Sequence, residues 1–154
     1  MEAAQLPLLL KRFDATIFAA APGVYRRLLA HHTRIDAPML RHGLSAGEKL
    51  PDRTRAAWQA ATGTQVHEAL GMSECSTFVS GSPDRPAPPG ATGYPQDGRS
   101  LAVLDENGRP VPRGRPGTLA VNAADPGLML GYLDATDETE ARFAADWFLT
   151  GDTV

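Results

Sequence analysis

A parallel α/β segment followed by a β-barrel-like all-β lobe is the fold that this 154-residue sequence predicts. Three observations carry the expectation. Apolar strand runs alternate with amphipathic helix patterns over the first 70 residues, a dense run of proline and glycine follows, and β patterning takes over beyond it. The expected boundaries are an α/β portion over 1–80, a connector over 81–98 and the β lobe over 99–154.

Ala15-Thr-Ile-Phe-Ala-Ala-Ala21 is a short, nearly continuous apolar run bounded by Asp14 and Pro22, as expected of a strand buried on both faces. Pro22 then opens a helix whose Val24, Tyr25, Leu28 and Leu29 share one face, with Arg26 and Arg27 turned outward. Met39 to Leu44 is a weaker strand candidate. Pro51 to Ala61 reads as a second helix, with Thr54, Trp58 and Ala61 on one face and Gly63 placed to cap its end. Gln65 to Leu70 supplies the next strand, and the short links argue for parallel pairing. Five prolines and four glycines fill half of positions 81–98, which excludes regular structure there. Leu101 to Asp105 and Thr118 to Asn122 read as strands, with a tight-turn signal at Asn107-Gly108. Residues 134–145 read as a short surface helix.

A hydrophobic fraction of 42% and a charged fraction of 21% are those of a folded globular protein. A net charge of −3 argues against a general nucleic-acid binder. The charge is uneven: residues 1–58 hold nine Lys/Arg against five Asp/Glu, and 59–154 hold six against thirteen. One cysteine, Cys75, excludes an internal disulfide and fits a reducing compartment, so the expected location is cytoplasmic. The apolar run Leu8-Leu9-Leu10 falls far short of the roughly 18 residues a membrane span needs, so no membrane partner is expected.

The chemistry concentrates in two places. Glu68-Ala-Leu-Gly-Met-Ser-Glu-Cys75 sets a hydroxyl beside a carboxylate, just past a glycine where backbone can approach a ligand. Trp147-Phe-Leu-Thr-Gly-Asp152 places another carboxylate behind a Thr-Gly turn. Ser73 could donate to a phosphate oxygen, but Glu74 would repel it by on the order of 4 kcal/mol at about 4 Å and an effective dielectric near 20. A Mg²⁺ held by one carboxylate and by phosphate oxygens reverses that sign. Asp152 could accept from two vicinal sugar hydroxyls. The bland reading of each run is a polar turn, and only their company points to a nucleotide. A serine-hydrolase elbow fails, because Cys75 stands where the strained turn wants glycine and all four histidines (31, 32, 42, 67) precede Ser73. The histidines lack metal-ligand spacing, and His31-His32 fit a helix end. Cys75 reads as a packing residue. Neither common glycine-rich phosphate loop is present, and the only lysines are Lys11 and Lys49.

These motifs resemble the adenylate-forming, AMP-binding enzymes, and within them the acyl- and aryl-CoA synthetases. Ser45-Ala-Gly-Glu-Lys-Leu-Pro51 resembles the family's loop along the adenine, and Glu68 to Glu74 its Tyr-Gly-x-Thr-Glu motif. Gly90 to Pro95, Val103 to Gly108 and Gly117-Thr-Leu119 follow the next lobe. Gly127 to Leu133, Thr139 to Phe143 and Trp147 to Asp152 resemble the closing motifs. The resemblance implies a partial adenylate-forming fold that binds ATP or AMP with Mg²⁺, a carboxylic acid and CoA. It implies that Glu68 accepts from the adenine amino group while Gly47 and Glu48 line the base. Leu70 stands where an aromatic commonly stacks, as in the benzoate-activating branch. Ser73 faces the α-phosphate, Glu74 holds Mg²⁺, Asp152 binds the ribose, and Ala69, Gly71 and Met72 border the acyl pocket. The family's Gly-Glu-Leu reads Gly117-Thr118-Leu119 here. The family's upstream phosphate loop and its C-terminal domain have no counterpart in these residues, so the resemblance implies an interior piece. Such a piece would be inactive alone, with apolar edges of the kind that associate. The competing expectation is a non-catalytic module that binds nucleotide or a protein partner.

Overall fold

The computed structural model describes residues 5–154. Its elements run α1 (Leu6–Arg12), β1 (Ile17–Ala20), α2 (Pro22–His31), β2 (His42–Ser45), α3 (Asp52–Thr62), β3 (Gln65–Met72), β4 (Ser76–Ser80) and β5 (Tyr94–Pro95). They continue with β6 (Leu101–Leu104), β7 (Thr118–Asn122), α4 (Thr136–Glu140), β8 (Phe143–Ala144) and β9 (Trp147–Thr153). The chain folds as two compact units, Met1–Gly71 with Val79–Tyr94, and Met72–Phe78 with Pro95–Val154.

In the first unit β1, β2 and β3 pair in parallel, with Ile17 opposite His42 and His42 opposite Gln65. Strands β4 and β5 complete the sheet order β1-β2-β3-β4-β5. Helix α2 starts where Pro22 fixes φ at no hydrogen-bond loss. Helix α3 stops at Gly63, whose φ of +75° lets the backbone turn left-handed and close on Gln59. The buried faces of these helices meet in an aromatic cluster. Tyr25 packs edge-on to Trp58 at 4.8 Å and to Phe18 at 5.2 Å, and Phe18 stacks on Trp58 at 5.4 Å. The Tyr25 hydroxyl lies 2.8 Å from both the Phe18 and Leu44 carbonyls, and Gly43 leaves it room: a Cβ there would sit 2.7 Å from the oxygen. Burial pushes the Tyr25 hydroxyl pKa well up, so it stays a donor.

The second unit is built on an antiparallel sheet in the order β6-β7-β9-β8. Strand β7 is its apolar centre, with Leu119, Ala120 and Val121 all buried. The β7–β9 register slips between Thr118, opposite Thr153, and Ala120, opposite Leu149. Between those pairs Leu119 alone faces Thr150, Gly151 and Asp152, so the irregularity falls on the Thr-Gly-Asp segment.

Several sequence expectations need correction. Two turns of helix α1 replace what read only as an apolar run. Positions 81–98 do hold a strand, the two residues of β5. The helix expected over 134–145 is confined to Thr136–Glu140, because Phe143 and Ala144 pair with β9 instead. Among the described residues no helix is long and apolar enough to cross a membrane.

Candidate functional site

The expected site residues are shared between the units: Gly47, Glu48, Glu68, Ala69, Leu70 and Gly71 in the first, and Met72, Ser73, Glu74 and Asp152 in the second.

In the first unit, Ser45 and Leu50 are buried posts and residues 46–49 form an exposed loop between them. Gly47 takes φ +92° with open space where a Cβ would be. Glu48 stands 3.5 Å from Arg26 at the surface, a screened contact of little energy. The loop is pinned from β3: Glu68 Oε1 accepts from the Leu50 amide at 2.7 Å, and Oε2 from the Arg55 guanidinium at 2.6 Å. Arg55 also donates to the Val66 carbonyl. Glu68 is thus a buried carboxylate with both oxygens engaged, a structural duty that the sequence reading missed. Ala69 to Met72 continue β3 to its more exposed carboxyl end, the edge of a parallel sheet where ligands bind. Next to Glu68, His67 is buried 5.7 Å from His42, and desolvation, with the charges of His42 and Arg55, holds its pKa below the ordinary value.

In the second unit, Ser73-Glu74-Cys75 form the turn between β3 and β4. Ser73 is exposed and Cys75 is fully buried. Burial pushes the Cys75 thiol up to about 11, which fits packing and not nucleophilic work. The Glu74 carbonyl accepts from the Met129 amide at 2.6 Å, and its Oε1 accepts from the Tyr132 hydroxyl at 2.7 Å. The Tyr132 hydroxyl bond, then its own backbone amide, hold the Glu74 carboxyl below the usual carboxylate range, with the Arg142 charge helping.

The Thr-Gly-Asp turn sits on the β9 bulge. Thr150 is buried and donates to the Leu119 carbonyl at 2.9 Å, while its oxygen accepts from the Asp152 amide at 3.1 Å. Gly151 at φ +86° lets the strand fold over, and the Asp152 side chain emerges exposed. The Arg142 guanidinium lies over Gly151, 3.3 Å from where a Cβ would be. One cation therefore lies against the Thr-Gly-Asp turn while its charge also reaches Glu74 and Tyr132.

No group of three or more His, Cys, Asp or Glu able to hold a metal exists among the described residues. A single carboxylate with free lone pairs does fit Mg²⁺, which takes one or two carboxylates and completes its shell with water and substrate phosphate. Glu74 is half-buried, and the Tyr132 hydroxyl takes one of its roughly four lone-pair positions.

The family model described as "AMP-binding enzyme" matches residues 1–133, most of the chain and all of the Glu68–Glu74 motif. The chain belongs to the AMP-binding enzyme family. It is 30% identical over 147 residues to a mitochondrial acyl-coenzyme A synthetase, ACSM3, of Rattus norvegicus, covering 93% of this chain and 25% of that protein. It is 30% identical over 146 residues to the acyl-CoA ligase YtcI of Bacillus subtilis, covering 94% of this chain and 28% of the relative. Among solved structures it superposes with a TM-score of 0.88 on the anthranilate CoA ligase AuaEII in complex with anthranoyl-AMP, at 31% identity over 98% of this chain and 29% of that one. A benzoate CoA ligase from Burkholderia xenovorans LB400 gives 0.86 at 27% identity, over 99% of this chain and 31% of that one. The chain thus spans roughly a quarter to a third of its relatives' length. The expected fold, a parallel α/β segment followed by a half-barrel-like β lobe of the adenylate-forming type, is the one these structures share.

Proposed function

We propose that this chain carries part of the nucleotide and acyl site of an AMP-forming acyl- or aryl-CoA ligase. The observation that carries the reading is the second unit's arrangement, in which Arg142 lies against the Thr-Gly-Asp turn and the Tyr132 hydroxyl holds the Glu74 carboxylate. The chemistry that the family resemblance implies is that a carboxylate attacks the α-phosphate of ATP to give acyl-AMP, pyrophosphate leaves, and the CoA thiolate displaces AMP to form a thioester.

Ser73 offers its hydroxyl to the α-phosphate and Glu74 is the residue that would hold Mg²⁺. That ion, when bound, neutralises phosphate charge. Asp152 takes the ribose hydroxyls. In the first unit, Gly47 and Glu48 line the adenine, Leu70 lies on the base, and Glu68 faces the amino group while fixing the loop through Leu50. Ala69, Gly71 and Met72 border the acid. Catalysis of the first step is positioning and charge neutralisation. A cytoplasmic location goes with the lone buried thiol.

Titration with AMP, followed amide by amide by NMR, tests the assignment. Shifts are expected at Gly47, Glu48, Glu68 to Met72 and Asp152. Shifts confined to other residues would refute it. The chain alone is expected to release no pyrophosphate from ATP, Mg²⁺ and a panel of acids above background. Tight, saturable calorimetric binding of ATP without turnover would favour the second reading, a non-catalytic binding module.

A further inference from the structure

Tyr132 lies 58 residues from Glu74 in sequence, yet its hydroxyl donates to the Glu74 carboxylate at 2.7 Å. The loop that carries it is held at several points. Asp125 accepts from the Gly127 amide at 2.8 Å and pairs with Arg99. The Met129 amide donates to the Glu74 carbonyl at 2.6 Å. The Tyr132 amide donates to Thr139 Oγ1 at 2.9 Å, and that hydroxyl donates to the Ala135 carbonyl at 2.8 Å. Gly131, at φ +154°, lies against the Thr139 side chain, where a Cβ would come within 3.3 Å. These anchors seat the loop so that it ends on one carboxylate oxygen.

We propose that Tyr132 is a positioning residue for Glu74: its hydroxyl fixes the carboxylate's rotamer and directs the remaining lone pairs toward the cation. The proposal rests on Glu74 being the Mg²⁺-binding carboxylate. Partners of this type orient ligating carboxylates, and their loss weakens metal affinity because the ligand must then be ordered on binding.

Mn²⁺ titration in the presence of ATP, read as paramagnetic broadening of backbone amides, tests this on the chain itself without an activity assay. In the wild-type chain the broadening is expected to centre on residues 73–75. Tyr132→Phe removes one part-buried hydroxyl oxygen and is expected to raise the Mn²⁺ half-saturation point roughly tenfold, with the shifts caused by metal-free ATP unchanged. The Met129 amide reports separately whether the loop stays seated. A Tyr132→Phe chain with wild-type half-saturation overturns the proposal. So does one in which the Met129 amide is released, since the hydroxyl would then serve the loop and not the carboxylate. Glu74→Gln separates this from the underlying reading. If broadening at 73–75 is absent in wild type, or persists in Glu74→Gln, Glu74 is not the ligand and both fall. If Glu74→Gln abolishes it and Tyr132→Phe leaves it intact, only the role of Tyr132 falls.

Discussion

Asp125→Asn removes a charge that the second unit has buried almost completely. The Asp125 side chain is 1% exposed and that of Arg99 16% exposed. Asp125 Oδ1 takes both the Arg99 guanidinium and the Gly127 amide, while Oδ2 is buried without a hydrogen-bond partner. Arg99 also donates to the Thr77 carbonyl at 3.2 Å, and its guanidinium packs against Gly127, where a Cβ would clash at 2.4 Å. Removing one partner of a buried pair costs about 3–5 kcal/mol. Here the loss is smaller, since asparagine keeps the Gly127 bond and Arg99 retains both Thr77 and some water. The expected destabilisation is about 2–3 kcal/mol, or a fall in Tm of roughly 5–10 °C for a chain of this size. Fluorine-labelled tryptophan gives a clean assay, because the two tryptophans lie one in each unit, Trp58 in the first and Trp147 in the second. The Trp147 signal should lose its folded form at lower temperature in the variant. An unchanged Trp147 midpoint would show that the pair contributes nothing, and that the reasoning from burial is wrong.

Three further perturbations follow from the same geometry. Gly93→Ala would set a Cβ 2.1 Å from the Ser80 carbonyl carbon, against backbone that cannot yield. A loss of about 3 kcal/mol or more is expected in urea unfolding of the first unit. Glu68→Ala leaves the Leu50 amide buried without an acceptor, while Arg55, about a third exposed, is recovered by solvent. The local loss of about 2 kcal/mol should speed Leu50 amide exchange about 30-fold; an unaltered rate would show that Glu68 does not pin the loop. His67 is held neutral in the folded chain below its ordinary pKa of about 6.5. The unfolded chain binds the extra proton first, so the stability His67 contributes is full above about pH 6.5 and is lost as pH falls below it. His67→Gln should flatten the fall in urea midpoint between pH 7.5 and 5.5, and an equally steep fall in the variant would assign it to other groups.

The elements that were legible in sequence are those whose signals are local. Pro22 with its apolar stripe, Gly63 at a helix end and the apolar run Leu119-Ala-Val121 between polar ends each announce their structure within a few residues. Helix α1 was not legible, because seven residues are too few to show a helical period. Strand β9 hid behind its own chemistry, since Thr150-Gly151 interrupts the alternation with a bulge that exists only against β7. The site divides in the same way. Ser73, Glu74 and Asp152 stand in contiguous motifs and could be proposed as candidates from residue types alone. Tyr132 and Arg142 could not, because nothing in their spacing ties them to Glu74 or Gly151 until the loop is folded. The intrachain partners of Glu68, an amide and a guanidinium, were not legible either, because Leu50 and Arg55 reach it only once the loop is folded onto β3.

Photolabelling with 8-azido-ATP in Mg²⁺, followed by peptide mapping, addresses the central claim most directly. Label is expected in the peptides spanning 45–51 and 65–74, and AMP should compete it away. Label that falls elsewhere, or that excess AMP leaves in place, would contradict a nucleotide site on these residues.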